Sequence, residues 1–246
     1  MEGYMERIQW LKKIIEKSQY MVGLMGVKIS SQCGCTNYRD EEDSYDIESK
    51  YGYSPDEIFS ASFYNVRPAQ FYEFYKRDMI SNLGEISPGL MALQKLEEQG
   101  KLKSIITRDI FSLARRAGCK NVYELHGSVF DNRCPHCGRK YQIDYIQNFR
   151  GVPKCEKCGV MLRPGVSLVG EMVDNSLLTR AATEVQKADT LLVMGCSLKS
   201  SLVNTFIHDF NGEKLVLLNS EEHFADKKAD LVIYGKPMDI MKDLVV

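Results

Sequence analysis

Apolar side chains recur at helical spacing near the start of the chain, at Met5, Ile8, Leu11, Ile14 and Ile15, with Lys, Glu and Gln between them. That period predicts a surface helix over residues 4–19, packed on a sheet. The pattern then changes. Tyr20 to Met25 is a short apolar run closed by Gly26, as expected of a buried strand entering a turn. The same alternation continues to the end of the chain. Strands are predicted at Leu102–Thr107, Val166–Val169, Thr190–Met194, Lys214–Leu218 and Leu231–Tyr234. Helices are predicted at Pro68–Ile80, from Pro88 to a stop at Gly100, and at Phe111–Ala117, Ser176–Lys187, Ser200–Phe210 and Met238–Leu244. Asp40 to Ser60 is acidic and tyrosine-rich with Gly52 and Pro55, and reads as a long mobile loop with little regular structure. Strands alternating with helices give an α/β fold built on a parallel sheet.

Right-handed crossovers place ligands at the carboxyl ends of such strands. Here those ends are Gly26, Thr107 to Asp109, Gly170-Glu171, Gly195 to Ser197 and Asn219 to Glu221. Charged and amide side chains gather at these few places, which points to a polar ligand. The run from Gly26 through Ile29-Ser30 to Gly34 is a strand entering a glycine-bearing turn, where backbone N–H groups can face a phosphate.

Composition narrows the field. The chain has 246 residues, a net charge of −1 and 26% charged residues. No basic patch announces nucleic acid, and no apolar run reaches the roughly 18 residues of a membrane span. The first 17 residues mix charge with apolar groups and do not resemble a signal peptide. Four of the eight cysteines fall into Cys134-Pro135-His136-Cys137 and Cys155-Glu156-Lys157-Cys158. Two such knuckles predict one tetrahedral four-thiolate zinc site, each knuckle followed by a glycine, Gly138 or Gly159, at its sharp turn. The competing readings are two redox pairs or buried thiols. A closed shell leaves no open position for substrate, so the metal is expected to be structural. His126, just upstream, is the nearest candidate for chemistry. A reducing cytoplasm is the simplest home for the remaining cysteines.

Several segments together resemble the sirtuins, NAD-dependent protein-lysine deacylases, from about residue 20 to residue 241. Tyr123-Glu124-Leu125-His126-Gly127-Ser128 is similar to the family's ELHGS segment, and the knuckles sit where its zinc ribbon sits. Leu162-Arg163-Pro164 with Val166 and Gly170-Glu171 resembles RPxVVxFGE, and Ala188-Asp189 to Leu198 resembles ADxxLVxGTSL. Leu218-Asn219-Ser220-Glu221 resembles the INxE corner for ribose and adenine. The resemblance implies a Rossmann-like parallel sheet with helices on both faces, a small inserted zinc-ribbon module and a helical and loop insertion. It divides the chain into 1–39, 86–130 and 163–246 as the NAD-binding domain, 40–85 as the helical part of a small domain, and 131–162 as the zinc ribbon. NAD would lie between the domains, with one structural zinc.

The resemblance further implies that His126 is the general base and that Asp109, beside the ribose, is a second catalytic residue. Gly26, Val27, Lys28, Ser30, Tyr38, Arg39, Arg108, Gly195, Ser197, Asn219 and Glu221 would hold NAD. Val169, Gly170, Glu171 and Leu198 would receive an acyl-lysine protein or peptide, adding as a strand. Neither a membrane nor direct nucleic-acid partner is implied, and oligomeric state is not read.

The chain departs from the family pattern at named positions. GAGISxxSGIPDFR reads Gly26-Val27-Lys28-Ile29-Ser30 on to Asn37-Tyr38-Arg39, so a lysine replaces a glycine beside the phosphates. TQNID reads Thr107-Arg108-Asp109-Ile110-Phe111. An ionised carboxylate at 109 cannot donate as the family asparagine does, but it could stabilise positive charge on the ribose carbon. Arg108 could bind phosphate, or pair with Asp109 or Glu171. Two further functions compete with deacylation on these exchanges: NAD glycohydrolase or ADP-ribosyltransferase activity, and a catalytically weakened NAD or ADP-ribose sensor.

Overall fold

The computed structural model describes residues 2–36 and 41–244. The opening helix forms where the apolar period places it: α1 (Glu2–Lys17) buries Ile8, Leu11, Ile14 and Ile15. Then come β1 (Met21–Met25), buried at every residue, and α2 (Lys28–Gln32). Four helices follow: α3 (Glu41–Tyr51), α4 (Pro55–Ile58), α5 (Ala61–Val66) and α6 (Pro68–Phe74), the last running into a π-helical turn at Tyr75–Met79. Next are α7 (Pro88–Glu98), β2 (Leu102–Thr107), α8 (Leu113–Arg116) and β3 (Val122–Glu124). The short β4 (Asn132–Arg133), β5 (Lys140–Tyr141) and α9 (Ile143–Asn148) precede the final run. That run is α10 (Asn175–Lys187), β6 (Thr190–Met194), α11 (Ser201–Phe206), β7 (Lys214–Asn219), a 3-10 turn, β8 (Leu231–Tyr234) and α12 (Pro237–Lys242).

The described residues form two compact units, one from 1–33, 85–125 and 174–246, the other from 34–84 and 126–173. The second unit takes in 126–130 and 163–173, which the sequence reading assigns to the sheet domain.

The first unit is the parallel α/β sheet. Its six strands run in the order β3-β2-β1-β6-β7-β8. Strand order reverses beside β1, and right-handed crossovers from that point put helices on both faces. The register brings the carboxyl ends level: Met25 pairs with Thr107 on one side and Met194 on the other, and Met194 pairs with Leu218. A row of turns therefore starts together at Gly26, Arg108, Gly195 and Asn219. On the helical layer, α7 crosses α12 so closely that a Cβ at Gly89 would lie 2.2 Å from the Met238 carbonyl oxygen.

The second unit is held by aromatic packing and a short ladder. Phe59, Tyr64, Phe71, Tyr72 and Tyr75 form a buried cluster of edge-on and stacked rings. The Tyr64 and Tyr72 hydroxyls both donate to the Leu162 carbonyl, at 3.0 and 2.5 Å. Residues 126–133 run antiparallel to 163–167 through Ser167 N–H to His126 O (2.8 Å), Ser128 N–H to Gly165 O (2.9 Å) and the paired Arg133 and Arg163.

Two sequence expectations give way here. The described part of 40–60 is helical, in α3 and α4, not a loop. Its tyrosines and acids work as packing groups: Ile47 is buried, the Tyr51 ring meets Phe74 edge-on at 5.8 Å, and Lys50 pairs with Asp78 at 2.8 Å. Val166–Val169 is not a strand. It makes only isolated bridges, Val166 with Gly127 and Val169 with Ser60, because the segment changes partner within a few residues.

Candidate functional site

The level ends of β1, β2, β6 and β7 gather most of the predicted cofactor residues. Gly26 is forced by a close approach: its N–H donates to the Met194 carbonyl (2.8 Å), and a Cβ there would stand 2.5 Å from the Gly195 oxygen. Gly195 has φ +64°, and a Cβ on it would meet Ile29 at 2.8 Å. Two glycines thus let the β1 and β6 turns touch. Lys28 reaches across to Glu221, Nζ to Oε2 at 2.6 Å, so the lysine that departs from the family pattern is paired with the acid of the INxE-like corner. Asn219 is buried at the end of β7. Its amide donates to the Glu221 carbonyl (2.9 Å), while Oδ1 is buried with no hydrogen-bond partner among the described residues. The Ser197 hydroxyl accepts from Lys199 N–H at 3.2 Å, and burial pushes the neighbouring Cys196 thiol up to about 11.

Asp109 sits in the turn directly after β2. It is 2% exposed, and its two oxygens take three donors: Ser30 Oγ at 3.2 Å, Phe111 N–H at 2.9 Å and Leu113 N–H at 2.8 Å. Leu113 opens α8, and Ser112, the residue before it, gives no side-chain cap. Asp109 supplies that cap from the end of β2. Burial raises its pKa, against the pull of those hydrogen bonds and of Arg116. The Arg108 guanidinium donates to Ser201 Oγ, and Glu171 is held by Arg163. Glu124, at the end of β3, is also raised by burial, opposed by Ser112 and Arg115. Sequence reasoning quoted Glu124 but gave it no role; its place before His126 was the available signal.

In the second unit the four cysteines come together, with all ligand atoms within 4.8 Å of one another. Cys134 and Cys158 sulfurs are 3.4 Å apart, Cys137 and Cys155 3.6 Å. Tetrahedral zinc with Zn–S near 2.3 Å requires sulfur separations of about 3.8 Å, so the residues fit that ion. The knuckles share one backbone pattern. Gly138 N–H donates to Cys134 O and Gly159 N–H to Cys155 O, with φ near +70° at each glycine. Burial works against a Cys155 thiolate, but Tyr141 O–H and the N–H groups of Cys158 and Lys157 outweigh it and bring the thiol down to about 5. Tyr141 is a supporting residue that sequence reasoning missed; nothing in the spacing marks it.

His126 is half-buried in the turn after β3, and its carbonyl is fixed by Ser167 N–H. Val169 exchanges backbone bonds with Phe59 and Ala61 at 3.0 and 3.1 Å. Gly170 follows with φ +91°, and the Glu171 carboxylate accepts from Arg163 Nη2, which spans both its oxygens, and from Leu168 N–H. Leu198 lies in the first unit. Asn37, Tyr38 and Arg39 lie outside the described residues. No described helix is long and apolar enough to cross a membrane.

A family model described as the Sir2 family matches residues 26–201. The chain is 37% identical over 230 residues to an NAD-dependent protein deacetylase of Clostridium acetobutylicum, covering 93% of this chain and 94% of that protein. It is 38% identical over 232 residues to one of Clostridium perfringens, with the same coverage. A solved structure described as Sir2 with a p53 peptide and NAD+ aligns at a TM-score of 0.80 and 28% identity, over 96% of each chain.

Proposed function

The chain belongs to the Sir2 family, and from that premise we propose that it is an NAD-dependent protein-lysine deacylase, moving the acyl group of a modified lysine onto ADP-ribose with release of nicotinamide. The observation that carries this reading is the sheet edge. Paired close-approach glycines, Gly26 and Gly195, and the orphan buried acceptor of Asn219 describe a polar nucleotide cradle. NAD supplies, when bound, an activated ribose carbon as acyl acceptor. Gly26, Val27, Lys28, Ser30, Arg108, Gly195, Ser197, Asn219 and Glu221 are assigned to holding it, together with Tyr38 and Arg39.

His126 is the base. Imidazole is the side chain that general-base catalysis near neutral pH recruits first, and the ladder bond from Ser167 fixes its backbone. Asp109 is assigned to shaping the floor at the end of β2, since three donors already occupy its oxygens. Val169, Gly170 and Glu171, with Leu198, receive the acyl-lysine peptide. Cys134, Cys137, Cys155 and Cys158 hold one structural zinc, a thiolate set suited to a reducing cytoplasm.

The test is a mass-spectrometric product assay with NAD and a panel of acyl-lysine peptides, beside His126→Ala. Nicotinamide with O-acyl-ADP-ribose, lost in the variant, supports deacylation. Free ADP-ribose, or mass added to protein, supports glycohydrolase or transferase chemistry. Intact NAD with thermal stabilisation by it supports a sensor.

A further inference from the structure

Arg163 does more than accompany its neighbours in sequence. Its backbone exchanges both hydrogen bonds with Arg133, N–H to O at 3.0 and 3.2 Å, and Arg133 directly precedes the metal-site residue Cys134. Its guanidinium lies over the Tyr64 ring at 5.3 Å, whose hydroxyl in turn anchors Leu162. Its Nη2 spans both oxygens of Glu171, at 2.7 and 2.6 Å. The Glu171 carboxylate also accepts from Leu168 N–H at 2.7 Å, and Glu171 N–H returns to Leu168 O at 3.0 Å.

Gly170 is therefore bracketed. On one side Val169 is fixed by Phe59 and Ala61; on the other Glu171 is fixed by Arg163. A glycine at φ +91° with open space around its Cβ position has no steric contact of its own to hold that conformation. The clamp supplies that hold. A segment that receives another chain by backbone pairing gains affinity when its own geometry is set beforehand, because less ordering is left to binding.

We infer that Arg163 is a positioning residue for the acyl-lysine peptide: through the Glu171 carboxylate it holds Gly170 in peptide-receiving geometry, with the Arg133 pairing tying that hold to the metal knuckle. This rests on the deacylase reading above. The partner class is a peptide backbone, so the effect is expected for every peptide sequence alike and absent for NAD.

The experiment compares wild type with Arg163→Lys, Arg163→Met and Glu171→Gln. Arg163→Lys keeps the cation and stem but loses the planar guanidinium that lies over Tyr64 while reaching Glu171. Arg163→Met keeps the stem over Tyr64, and Glu171→Gln keeps the shape of the other partner. KM for peptide and for NAD, peptide affinity by fluorescence anisotropy, zinc content and Tm are read for each. The expected result is a peptide KM and Kd raised on the order of tenfold in Arg163→Met, with an intermediate rise in Arg163→Lys. KM for NAD and zinc content stay within twofold of wild type. Peptide affinity unchanged in a folded, zinc-loaded Arg163→Met overturns the inference. So does an equal rise in both KM values, which would mark a merely structural role. If Arg163→Met fails to fold, Arg163→Lys and Glu171→Gln decide on the same readouts. A wild-type protein that turns over no acyl-lysine peptide removes the deacylase reading and this inference with it, an outcome separate from a wild type that is active while its variants bind peptide normally.

Discussion

Asp109→Ala tests the local physics of the sheet edge most directly. The carboxylate caps α8 through Leu113 N–H and also accepts from Phe111 N–H, and the site is buried. Removing a helix cap costs about 1 kcal/mol. A second buried N–H left without an acceptor costs about 1–3 kcal/mol. Losing a carboxylate that burial disfavours offsets part of this, so the net expectation is roughly 2–3 kcal/mol, or roughly 4–12 °C in Tm for a chain of this size. Thermal unfolding followed by circular dichroism reads it. The sign of the pH dependence follows from the raised pKa. The native state keeps the Asp109 proton to higher pH than the unfolded chain. Its contribution is fully present below the unfolded pKa, near 3.8, and declines as pH rises through the folded value. The stability gap between wild type and variant should therefore be widest near the unfolded value and narrow as pH rises toward neutrality. A variant within about 1 °C of wild type, or a gap that grows with pH, refutes the reasoning.

Three further outcomes follow from the same coordinates. Asn219→Leu removes an orphan buried acceptor and with it the amide donor to the Glu221 carbonyl, two effects that oppose each other, so the unliganded Tm should change little, while stabilisation by NAD, about 2.7 kcal/mol at a hundredfold excess over Kd, should vanish in a thermal-shift titration. Cys155→Ser should lose its zinc on dialysis against a mild chelator, with wild type retaining one ion per chain by elemental mass spectrometry. Gly127→Ala sets a Cβ 2.1 Å from the Gly165 carbonyl oxygen and should cost about 3 kcal/mol or more, whereas Gly52→Ala, also at positive φ but with open space around it, should cost only about 1–2 kcal/mol; urea unfolding of the pair separates backbone strain from collision.

Five of the six strands of the parallel sheet were legible because they are short apolar runs with nothing else to do, and α1 because its apolar period is clean; β3, only three residues with Val122 alone buried, has no such run. The four cysteines were legible because metal geometry constrains spacing. Residues 41–58 were not legible: their helices are held by Tyr51, Lys50 and Ile47 meeting partners beyond residue 70 or elsewhere in the unit, and no local period shows that. Asp109 was read for its charge and its neighbours in the motif, while its three donors come from turn geometry that only the folded backbone sets. Arg163 and Glu171 were visible as letters of a motif, but their ion pair is a fact of three dimensions.

The strand order has a consequence for how the chain is made. β1 emerges early, yet its partners begin at Leu102 and Thr190. During synthesis the central strand of the sheet must wait, first unpaired, then with one open edge, until β6 leaves the ribosome. Long-range parallel pairing of this kind is slow and exposes apolar edges meanwhile. The all-buried run Met21–Met25 is therefore the segment most in need of protection while the chain is incomplete, and truncated products ending before β6 should aggregate through it.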